Sequence, residues 1–419
     1  MRIPNRLSPT GGKLGAAALA SAAAGPAGAM RFLTRRKPGP VLLGLAAAAA
    51  AAVAVPVSAS ASTQASPVVR HVYVNDNTAG TNTIGAFDRH ADGTLTPEAG
   101  SPFAAGGAGT GAGLASQGAL QISADGRFLI AADAGSDQVS VLRITHDGSL
   151  KRTPHGVVSS GGVLPVSIAI HDDLVYVANS GSGGSNYTGF RLRHDGRLKR
   201  IAGSAVALPD GSQPGDVLFN GNGTKLAGTR VGTSQIDSFT VGQHGRLTAA
   251  PGSPFPAQGL GPFGSEFRPT NPDQLFVSNA HNVGAGTGTV SAFSDSANGT
   301  LSSIGSSPFA DLQTAPCWVE ISHNGRFLFT VNTGSGEISR YLIAPGGALT
   351  LLGSTPVGST GGVGAVDARL STDGRTLYVD ESKIGAVGAF AVHGGNLTEL
   401  GGSPTSLPAG ATPAGIVVN

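Results

Sequence analysis

Cysteine, charge and aromatic residues are all scarce in this chain of 419 residues. It has one cysteine, Cys317, with 12% charged and 5% aromatic residues. A single cysteine excludes an intramolecular disulfide framework, so the fold must be stabilised by burial and by strand pairing. Outside the N-terminus, Gly or Pro interrupts every stretch with apolar residues at helical spacing, which excludes long amphipathic helices.

Glycine and proline are abundant instead. The chain has 65 Gly and 26 Pro, about 22% of all residues. This proportion without a collagen period is typical of disorder. However, a disordered chain lacks apolar residues to bury, and this chain is 40% hydrophobic with a mean hydropathy of +0.09. A turn-rich all-β protein fits the composition better.

The formal net charge of +2 conceals an acidic mature chain. Residues 1–61 hold seven basic residues and no acidic residue, which leaves 20 basic against 25 acidic residues in the remainder. A mildly acidic chain without a basic run lacks the electrostatic signature of nucleic-acid binding. We expect no nucleic-acid partner.

The first 61 residues have the pattern of an export signal. A basic segment from Arg31 to Lys37 precedes an apolar stretch from Val41 to Val55, and small residues lead to Ala61. A polar segment follows, which favours cleavage near Ala61 over retention as a membrane anchor. Translation is expected to start at Met30, since residues 30–61 alone have the length of a signal. This predicts a removed segment 1–61, a linker 62–70 and a single domain 71–419 that is secreted or held in the cell envelope, with no membrane span after cleavage.

One motif, a turn followed by Gly-x-Leu, recurs seven times. The instances are Asp92–Leu95, Asp147–Leu150, Asp195–Leu198, His244–Leu247, Asn298–Leu301, Gly346–Leu349 and Gly394–Leu397. Their leucines lie 55, 48, 49, 54, 48 and 48 residues apart. Asp-Gly and Asn-Gly between apolar strands are strong hairpin signals, and they predict turns in which both central residues have positive φ.

A second tight turn precedes this motif in most repeats. Its clearest instances are Asp125-Gly126, Asn222-Gly223, Asn324-Gly325 and Asp373-Gly374. Each stands between two apolar strands, of which Leu174 to Asn179 is typical of the second. Four antiparallel strands in about 50 residues make one blade of a β-propeller.

The two ends of the chain complement each other. Tyr73 to Asn75 matches the second strand of a repeat, and Ile416 to Asn419 matches the first. Pairing of these strands closes the ring and removes an exposed edge. Six complete repeats and one shared repeat predict an all-β fold, a seven-bladed propeller with four antiparallel strands per blade. A solenoid is the alternative, but it requires capping repeats that these ends do not provide.

These strands and turns resemble a known family. The Tyr-Val-x-Asn strands and the turns at Asp125 to Leu129 and Asn324 to Leu328 are similar to those of the seven-bladed lactonase propellers. That group includes propeller-type 6-phosphogluconolactonases, carboxymuconate cyclases and the YVTN surface-layer repeats. The resemblance covers roughly residues 70–419 and implies a propeller fold and activity on a lactone.

The first strand of each blade lines the central channel of a propeller. Alignment of these strands on their turns gathers polar residues in blades 4 to 7, namely Asp216, Glu266, Glu320, Asp367 and Arg369. Trp318 lies two positions before Glu320. An acidic pocket with one arginine and one tryptophan can orient a small polar ligand or provide an acid and a base. The alternative is a hydrated channel whose carboxylates only keep it soluble.

The resemblance also implies catalytic groups that this chain lacks. Lactonase members usually begin an inner strand with Pro-Arg-His and carry Asn-Glu after the next strand. Here the matching segments read Pro316-Cys317-Trp318 and Asn332-Thr333. A lactonase reaction would therefore use Glu320 or Asp367 as the base and Arg369 toward the developing oxyanion, with Trp318, Asp216 and Glu266 as ligand contacts.

Two functions remain open at this point. One is an exported lactone-acting enzyme, and the other is a non-catalytic propeller that binds a protein or glycan. Most histidines precede hairpin turns around the ring and cannot converge on one ion, so we expect no metal and no cofactor. We also expect a monomer.

Overall fold

The computed structural model describes residues 66–358 and 364–419. The predicted signal region 1–61, with the start at Met30 and the cleavage near Ala61, lies outside these residues. The helices within them are two short 3₁₀ turns, Ala134–Ser136 and Gln243–Gly245. In this part of the chain no helix has the length and apolar character needed to cross a membrane.

The described residues form seven antiparallel sheets, one for each blade, which confirms the predicted seven-bladed propeller. Within each blade the first strand listed below is the inner strand at the channel. The strands, numbered in chain order, are, for blade 1, β33 (Ile416–Val418), β1 (Val68–Asn75), β2 (Gly80–His90), β3 (Leu95–Pro97) and β4 (Phe103–Gly109); for blade 2, β5 (Leu120–Ile122), β6 (Phe128–Asp133), β7 (Gln138–Ile144) and β8 (Leu150–Ser159); for blade 3, β9 (Pro165–His171), β10 (Leu174–Asn179), β11 (Asn186–Leu192), β12 (Leu198–Arg200) and β13 (Val206–Ala207); for blade 4, β14 (Pro214–Phe219), β15 (Lys225–Arg230), β16 (Gln235–Val241), β17 (Leu247–Ala249) and β18 (Phe255–Pro256); for blade 5, β19 (Pro262–Arg268), β20 (Asn271–Asn279), β21 (Thr289–Asp295), β22 (Leu301–Ser303) and β23 (Phe309–Ala310); for blade 6, β24 (Pro316–Ile321), β25 (Phe327–Asn332), β26 (Glu337–Ile343) and β27 (Leu349–Pro356); and for blade 7, β28 (Ala365–Leu370), β29 (Thr376–Glu381), β30 (Ala386–His393), β31 (Asn396–Glu399) and β32 (Thr405–Ser406). In blades 3, 4, 5 and 7 the outermost strand is split into two short pieces that pair with the same third strand.

Blade 1 combines the two ends of the chain, as the sequence predicts. The C-terminal β33 pairs with β1 in antiparallel register, with Tyr73 opposite Val417. The backbone N–H of His71 donates to Asn419 Oδ1 at 2.7 Å and fixes the last residue. β1 begins at Val68, inside the segment 62–70 predicted as linker. The ring is therefore closed by hydrogen bonds between residues more than 300 positions apart.

The outer hairpins differ in one respect from the sequence prediction. The second turn residue has positive φ in every repeat, for example 88° at Gly93 and 87° at Gly148. The preceding residues Asp92 and Asp147 do not have positive φ. The hydrogen bonds from Gly93 N to His90 O and from His90 N to Thr94 O explain this, because they define a type I turn followed by one left-handed glycine. The expectation of two positive-φ residues per turn was wrong for these hairpins.

The tyrosines of the repeat connect neighbouring blades. Tyr73 on β1 donates a hydrogen bond to the carbonyl of Gly148 in the outer hairpin of blade 2, at 2.8 Å. Tyr378 on β29 makes the same contact with Gly93 of blade 1, also at 2.8 Å. Both rings are fully buried. The tyrosine strand and the glycine turn recur together because each blade binds the next through them.

The apolar core lies between adjacent blades. Tyr73 and Ile84 of blade 1 pack against Leu120 and Leu129 of blade 2 in one buried cluster. Phe329 of blade 6 likewise packs in a cluster with residues of blade 7. Since each blade buries both of its faces in this way, the polar groups of the inner strands meet at the centre of the ring.

Candidate functional site

Strand register places the predicted site residues at one depth in the channel. Glu266, Glu320 and Arg369 lie opposite Phe276, Phe329 and Tyr378, respectively, on the second strands of blades 5, 6 and 7. Because these second-strand residues occupy matching places in their blades, the alignment made from the sequence holds. Asp216 and Trp318 lie two positions earlier, as predicted.

A segment that sequence reasoning missed crosses the channel. Residues 114–118, here called the plug, connect β4 to β5 and lie inside the ring. The Gln117 side chain bridges two blades: its Nε2 donates to Ser265 O at 3.0 Å, and its Oε1 accepts from Val319 N at 2.9 Å. Its backbone N–H donates to Gly215 O of blade 4 at 2.9 Å. Gln117 thus ties the plug to blades 4, 5 and 6 together.

Two predicted site residues hold the plug in place. The Trp318 indole N–H donates to Ser116 O at 2.7 Å, and its ring packs edge-on against Phe263 with centroids 5.4 Å apart. The Asp367 carboxylate accepts from Gly118 N at 3.2 Å and from Ala368 N at 2.9 Å. Their contacts therefore position the plug.

The sequence carried two signals of this plug. The leucine spacing across the first repeat pair is 55 residues, whereas the shortest spacings are 48. In addition, blade 5 has Gly264 where its neighbours have Asp216 and Trp318. A Cβ at Gly264 would lie 2.1 Å from Gln117 Oε1, so the plug requires glycine there.

A cavity of about 130 Å³ lies on one side of the plug. It extends from Gln117 and Gly118 to Ile170 and Phe219 near the ends of two inner strands. Its polar lining consists of Gln117, Gln121, Asp216, Ser265, Glu266 and Arg369. Of the predicted site residues, Asp216, Glu266 and Arg369 face this cavity.

Arg369 and Glu320 form an ion pair between blades 6 and 7. Arg369 Nη1 lies 3.2 Å from Glu320 Oε2, and Leu370 N donates to Glu320 Oε1 at 2.8 Å. Burial raises the pKa of Glu320, while the arginine and the Leu370 N–H oppose this shift. Burial also disfavours the guanidinium, but the charges of Glu320, Asp367 and Glu266 outweigh it and raise the pKa of Arg369. Arg369 therefore stays charged, and Glu320 orients it.

The other channel aspartates have fewer cationic neighbours. Asp216 accepts hydrogen bonds from Ser167 Oγ at 3.1 Å and from Ser265 Oγ at 2.7 Å. Burial raises the pKa of Asp216 to about 7 despite these donors. Burial raises the pKa of Asp367 to about 6, opposed by Arg369 and the Gly118 N–H. Four carboxyl groups thus share one arginine, and protonation balances part of the charge.

Two complementary polar atoms at the cavity lack partners within the described residues. Glu266 Oε2 and Arg369 Nε are buried, and neither makes a hydrogen bond. Burial, followed by the charge of Glu320, holds the pKa of Glu266 well above its usual range, against the opposing charge of Arg369. A free acceptor with a raised pKa beside a free cationic donor can bind and polarise a small polar ligand. Sequence reasoning favoured Glu320 or Asp367 as the base, but both carboxylates are occupied by other partners.

A second cavity of about 300 Å³ lies on the opposite side of the plug. Leu114 and Ala115 of the plug, Phe263 and other apolar residues line it, and His281 is the titratable member of its lining. Nearby Cys317 is 7% exposed, and burial raises the pKa of its thiol to about 11, which makes it a poor nucleophile. The smaller cavity therefore holds the stronger candidate chemistry.

Comparisons with known proteins agree with this architecture. The family model of the lactonase seven-bladed β-propeller matches residues 63–219 and 267–361. No curated protein matches the chain.

Several solved structures have the same fold. A periplasmic gluconolactonase from Pseudomonas aeruginosa is 18% identical, with a TM-score of 0.65 over 83% of this chain and 98% of that chain. A protein from Bacteroides uniformis, proposed to be a 6-phosphogluconolactonase, is 19% identical, with a TM-score of 0.65 over 84% and 99%. A protein from Lactobacillus plantarum is 17% identical, with a TM-score of 0.66 over 84% and 99%. At these identities the structural similarity shows the fold alone.

Proposed function

Because the chain belongs to the seven-bladed β-propeller lactonase family, we propose that it binds and hydrolyses a small neutral lactone in the cavity beside the plug. The observation that carries this proposal is the pair of unpartnered atoms at that cavity, Glu266 Oε2 and Arg369 Nε. One is an acceptor that can take a proton, and the other is a cationic donor that can bind a carbonyl oxygen.

The size of the cavity restricts the substrate. Its volume is about 130 Å³. A cavity of about 150 Å³ in a protein core accommodates a molecule as large as benzene. The proposed substrate is therefore a single five- or six-membered lactone ring with few substituents.

The chemistry follows from the positions of the two groups. Glu266, once ionised, takes a proton from a water molecule as the water oxygen attacks the lactone carbonyl carbon. Arg369 donates to the carbonyl oxygen, where negative charge develops in the tetrahedral intermediate. Collapse of the intermediate breaks the ring C–O bond, and the proton held by Glu266 passes to the leaving alkoxide. The product is a hydroxy acid.

The charge of the channel favours a neutral substrate and release of the product. Asp216, Glu266, Glu320 and Asp367 are grouped around the single guanidinium of Arg369. An anionic substrate such as a phosphorylated lactone meets this excess of acidic groups. Hydrolysis converts a neutral ring into a carboxylate, which the same groups repel.

We also propose that the propeller acts outside the cytoplasm. Support comes from the basic and apolar pattern of residues 31–55 and the small residues that precede Ala61.

The test is hydrolysis of a panel of unsubstituted and hydroxylated γ- and δ-lactones, with phosphorylated lactones for comparison. We expect turnover of neutral lactones, a loss of about 100-fold in Glu266→Gln and no change in Glu337→Gln, a control on the third strand of blade 6. Binding without turnover would contradict hydrolysis but support the ligand site. Absence of both binding and turnover across the panel would overturn the whole proposal.

A further inference from the structure

A cluster of three metal-binding side chains lies in blade 1, away from the channel. His71 on β1 faces Asp88 on β2 in the strand register, and Glu98 follows β3. His71 Nε2 lies 3.3 Å from Asp88 Oδ1. One ligand atom from each of the three residues lies within 4.8 Å of the others. Three adjacent strands thus present one imidazole and two carboxylates at one point.

The two carboxylates are in an unfavourable arrangement without a cation. Glu98 is 9% exposed, and its carboxylate lies within hydrogen-bonding reach of the Asp88 carboxylate. Burial, and then the proximity of Asp88, raises the pKa of Glu98 to about 7, while the Ala99 N–H opposes this weakly. Two carboxylates in contact must share a proton or bind a cation. The imidazole beside them supplies the nitrogen ligand that first-row transition metals prefer.

The site has room for additional ligands. The cluster borders an open cavity of about 660 Å³, which His146 and Asp147 from the outer hairpin of blade 2 also line. Arg70 lies at the same cavity, but its guanidinium donates a hydrogen bond to the neighbouring Val69 carbonyl, at 3.2 Å. Water or His146 can therefore complete the coordination of an ion.

We propose that His71, Asp88 and Glu98 bind a divalent transition-metal ion, with Zn²⁺ as the ion of best fit. Nitrogen and carboxylate oxygen ligands at about 2.1 Å from Zn²⁺ lie within about 4 Å of one another. The present spacing of these atoms requires only small side-chain rotations to reach that geometry. Sequence reasoning excluded metal because it considered histidines that are spread around the ring, whereas this cluster combines one histidine with two acids.

The position of the site gives it a structural role. It joins β1, β2 and the residue after β3 in the blade that closes the ring. His71 also contacts the C-terminus, since Asn419 N donates to His71 O at 3.1 Å. An ion bound here stabilises the closed ring and not the unfolded chain.

The experiment is calorimetric titration of ZnCl₂ into the EDTA-treated mature protein, with thermal melts in parallel. We expect one Zn²⁺ per chain and a higher Tm with Zn²⁺. Glu98→Gln, which keeps the side-chain shape, should weaken binding at least tenfold and abolish the Tm shift. The matched control is His171→Gln, because His171 pairs with Asp172 at 3.6 Å in blade 3 and is not part of the metal-binding group.

Each outcome is decisive. Equal Zn²⁺ binding by the wild type and Glu98→Gln, or loss of binding in His171→Gln alone, overturns the proposal. Tighter binding of Ca²⁺ than of Zn²⁺ overturns the transition-metal assignment, because Ca²⁺ takes oxygen ligands. If Glu98→Gln does not fold, Asp88→Asn provides the same comparison.

Discussion

Arg369 and Glu320 form an ion pair across the boundary between blades 6 and 7, with 3.2 Å between Nη1 and Oε2. The pair uses one end of the guanidinium and leaves Arg369 Nε unpartnered beside the channel cavity. Glu320 therefore acts as a positioning residue for the arginine. This arrangement separates two possible contributions of Arg369, namely neutralising Glu320 and binding a ligand.

Substitution of Arg369 by Gln should reduce both activity and stability. We expect lactone turnover to fall by roughly 100-fold or more, because a donor to the developing oxyanion is lost. The free energy of unfolding should fall by about 2 kcal/mol, because Glu320 loses a charged hydrogen-bond partner. Steady-state kinetics and denaturant unfolding measure the two effects.

The double variant Arg369→Gln/Glu320→Gln is the control. It removes the buried carboxylate together with its partner, so most of the lost stability should return while turnover stays low. Recovery of turnover in the double variant would show that Arg369 only neutralises Glu320.

The fold was predictable because its determinants repeat in the sequence. Hairpin turns such as Asp92-Gly93 and Asp147-Gly148 mark the blades, and the strands at Tyr73 and Ile416 have complementary patterns at the two chain ends. Register is fixed by alternation of buried and exposed residues, so one alignment places every inner strand at the same depth. The same alignment placed Glu320 and Arg369 opposite each other.

The details of the site were not predictable in the same way. The plug depends on a single segment that contacts several blades, and Gln117 makes those contacts in only one repeat. The choice of Glu266 over Glu320 and Asp367 depends on which carboxylate lacks a donor. That property arises from three-dimensional contacts, and alignment of inner strands does not contain it.

The stability of the protein should depend on pH through its buried carboxyl groups. Burial raises the pKa of Asp216 to about 7 and that of Asp367 to about 6, from an ordinary value of 3.8. Between about pH 4 and pH 7 the folded state therefore binds more protons than the unfolded state, and stability falls as the pH rises. Carboxyl groups with lowered pKa, such as Asp373 at about 2, titrate below this window.

Thermal melts at pH 5 and pH 7.5 test this dependence. We expect the higher Tm at pH 5, and a smaller difference between the two pH values in Asp216→Asn. A Tm that increases steadily from pH 5 to pH 7.5 would show that these groups ionise freely in the folded protein.

Removal of residues 416–419 should strongly destabilise the ring. Ile416 is fully buried, and the strand supplies the inner edge of blade 1 by pairing with Val72 to Val74. We expect the Tm to fall by about 10 °C or more, because a core side chain and a complete strand pairing are lost. A chain that ends at Val418 is the control. A melting point within a degree or two of that of the full mature chain would contradict ring closure as a source of stability.

Export should be accompanied by cleavage near Ala61. The apolar stretch from Val41 to Val55 has the length of a signal core and is followed by small residues. Mass spectrometry of the protein from the culture medium or cell envelope should find an N-terminus close to residue 62. The control is a variant with Ala59 and Ala61 replaced by Asp, which should accumulate uncleaved. Exported protein that retains the Ala-rich segment would rule out cleavage at this position.

Substitution of Gln117 by Ala should release the plug while the blades remain folded. The Val319 N–H would lose its acceptor in a buried position, which costs about 1–3 kcal/mol. Because Gln117 and Gly118 also form one end of the channel cavity, the substrate would lose a wall, and KM for the lactone should rise more than kcat falls. Denaturant unfolding and steady-state kinetics together measure the effect. Gln121→Ala is the matched control, since Gln121 lines the same cavity and makes no side-chain hydrogen bond to blades 5 or 6 within the described residues. It should leave stability within about 0.5 kcal/mol of the wild type. Equal stability of the two variants would mean that the contacts of Gln117 to blades 5 and 6 do not hold the plug.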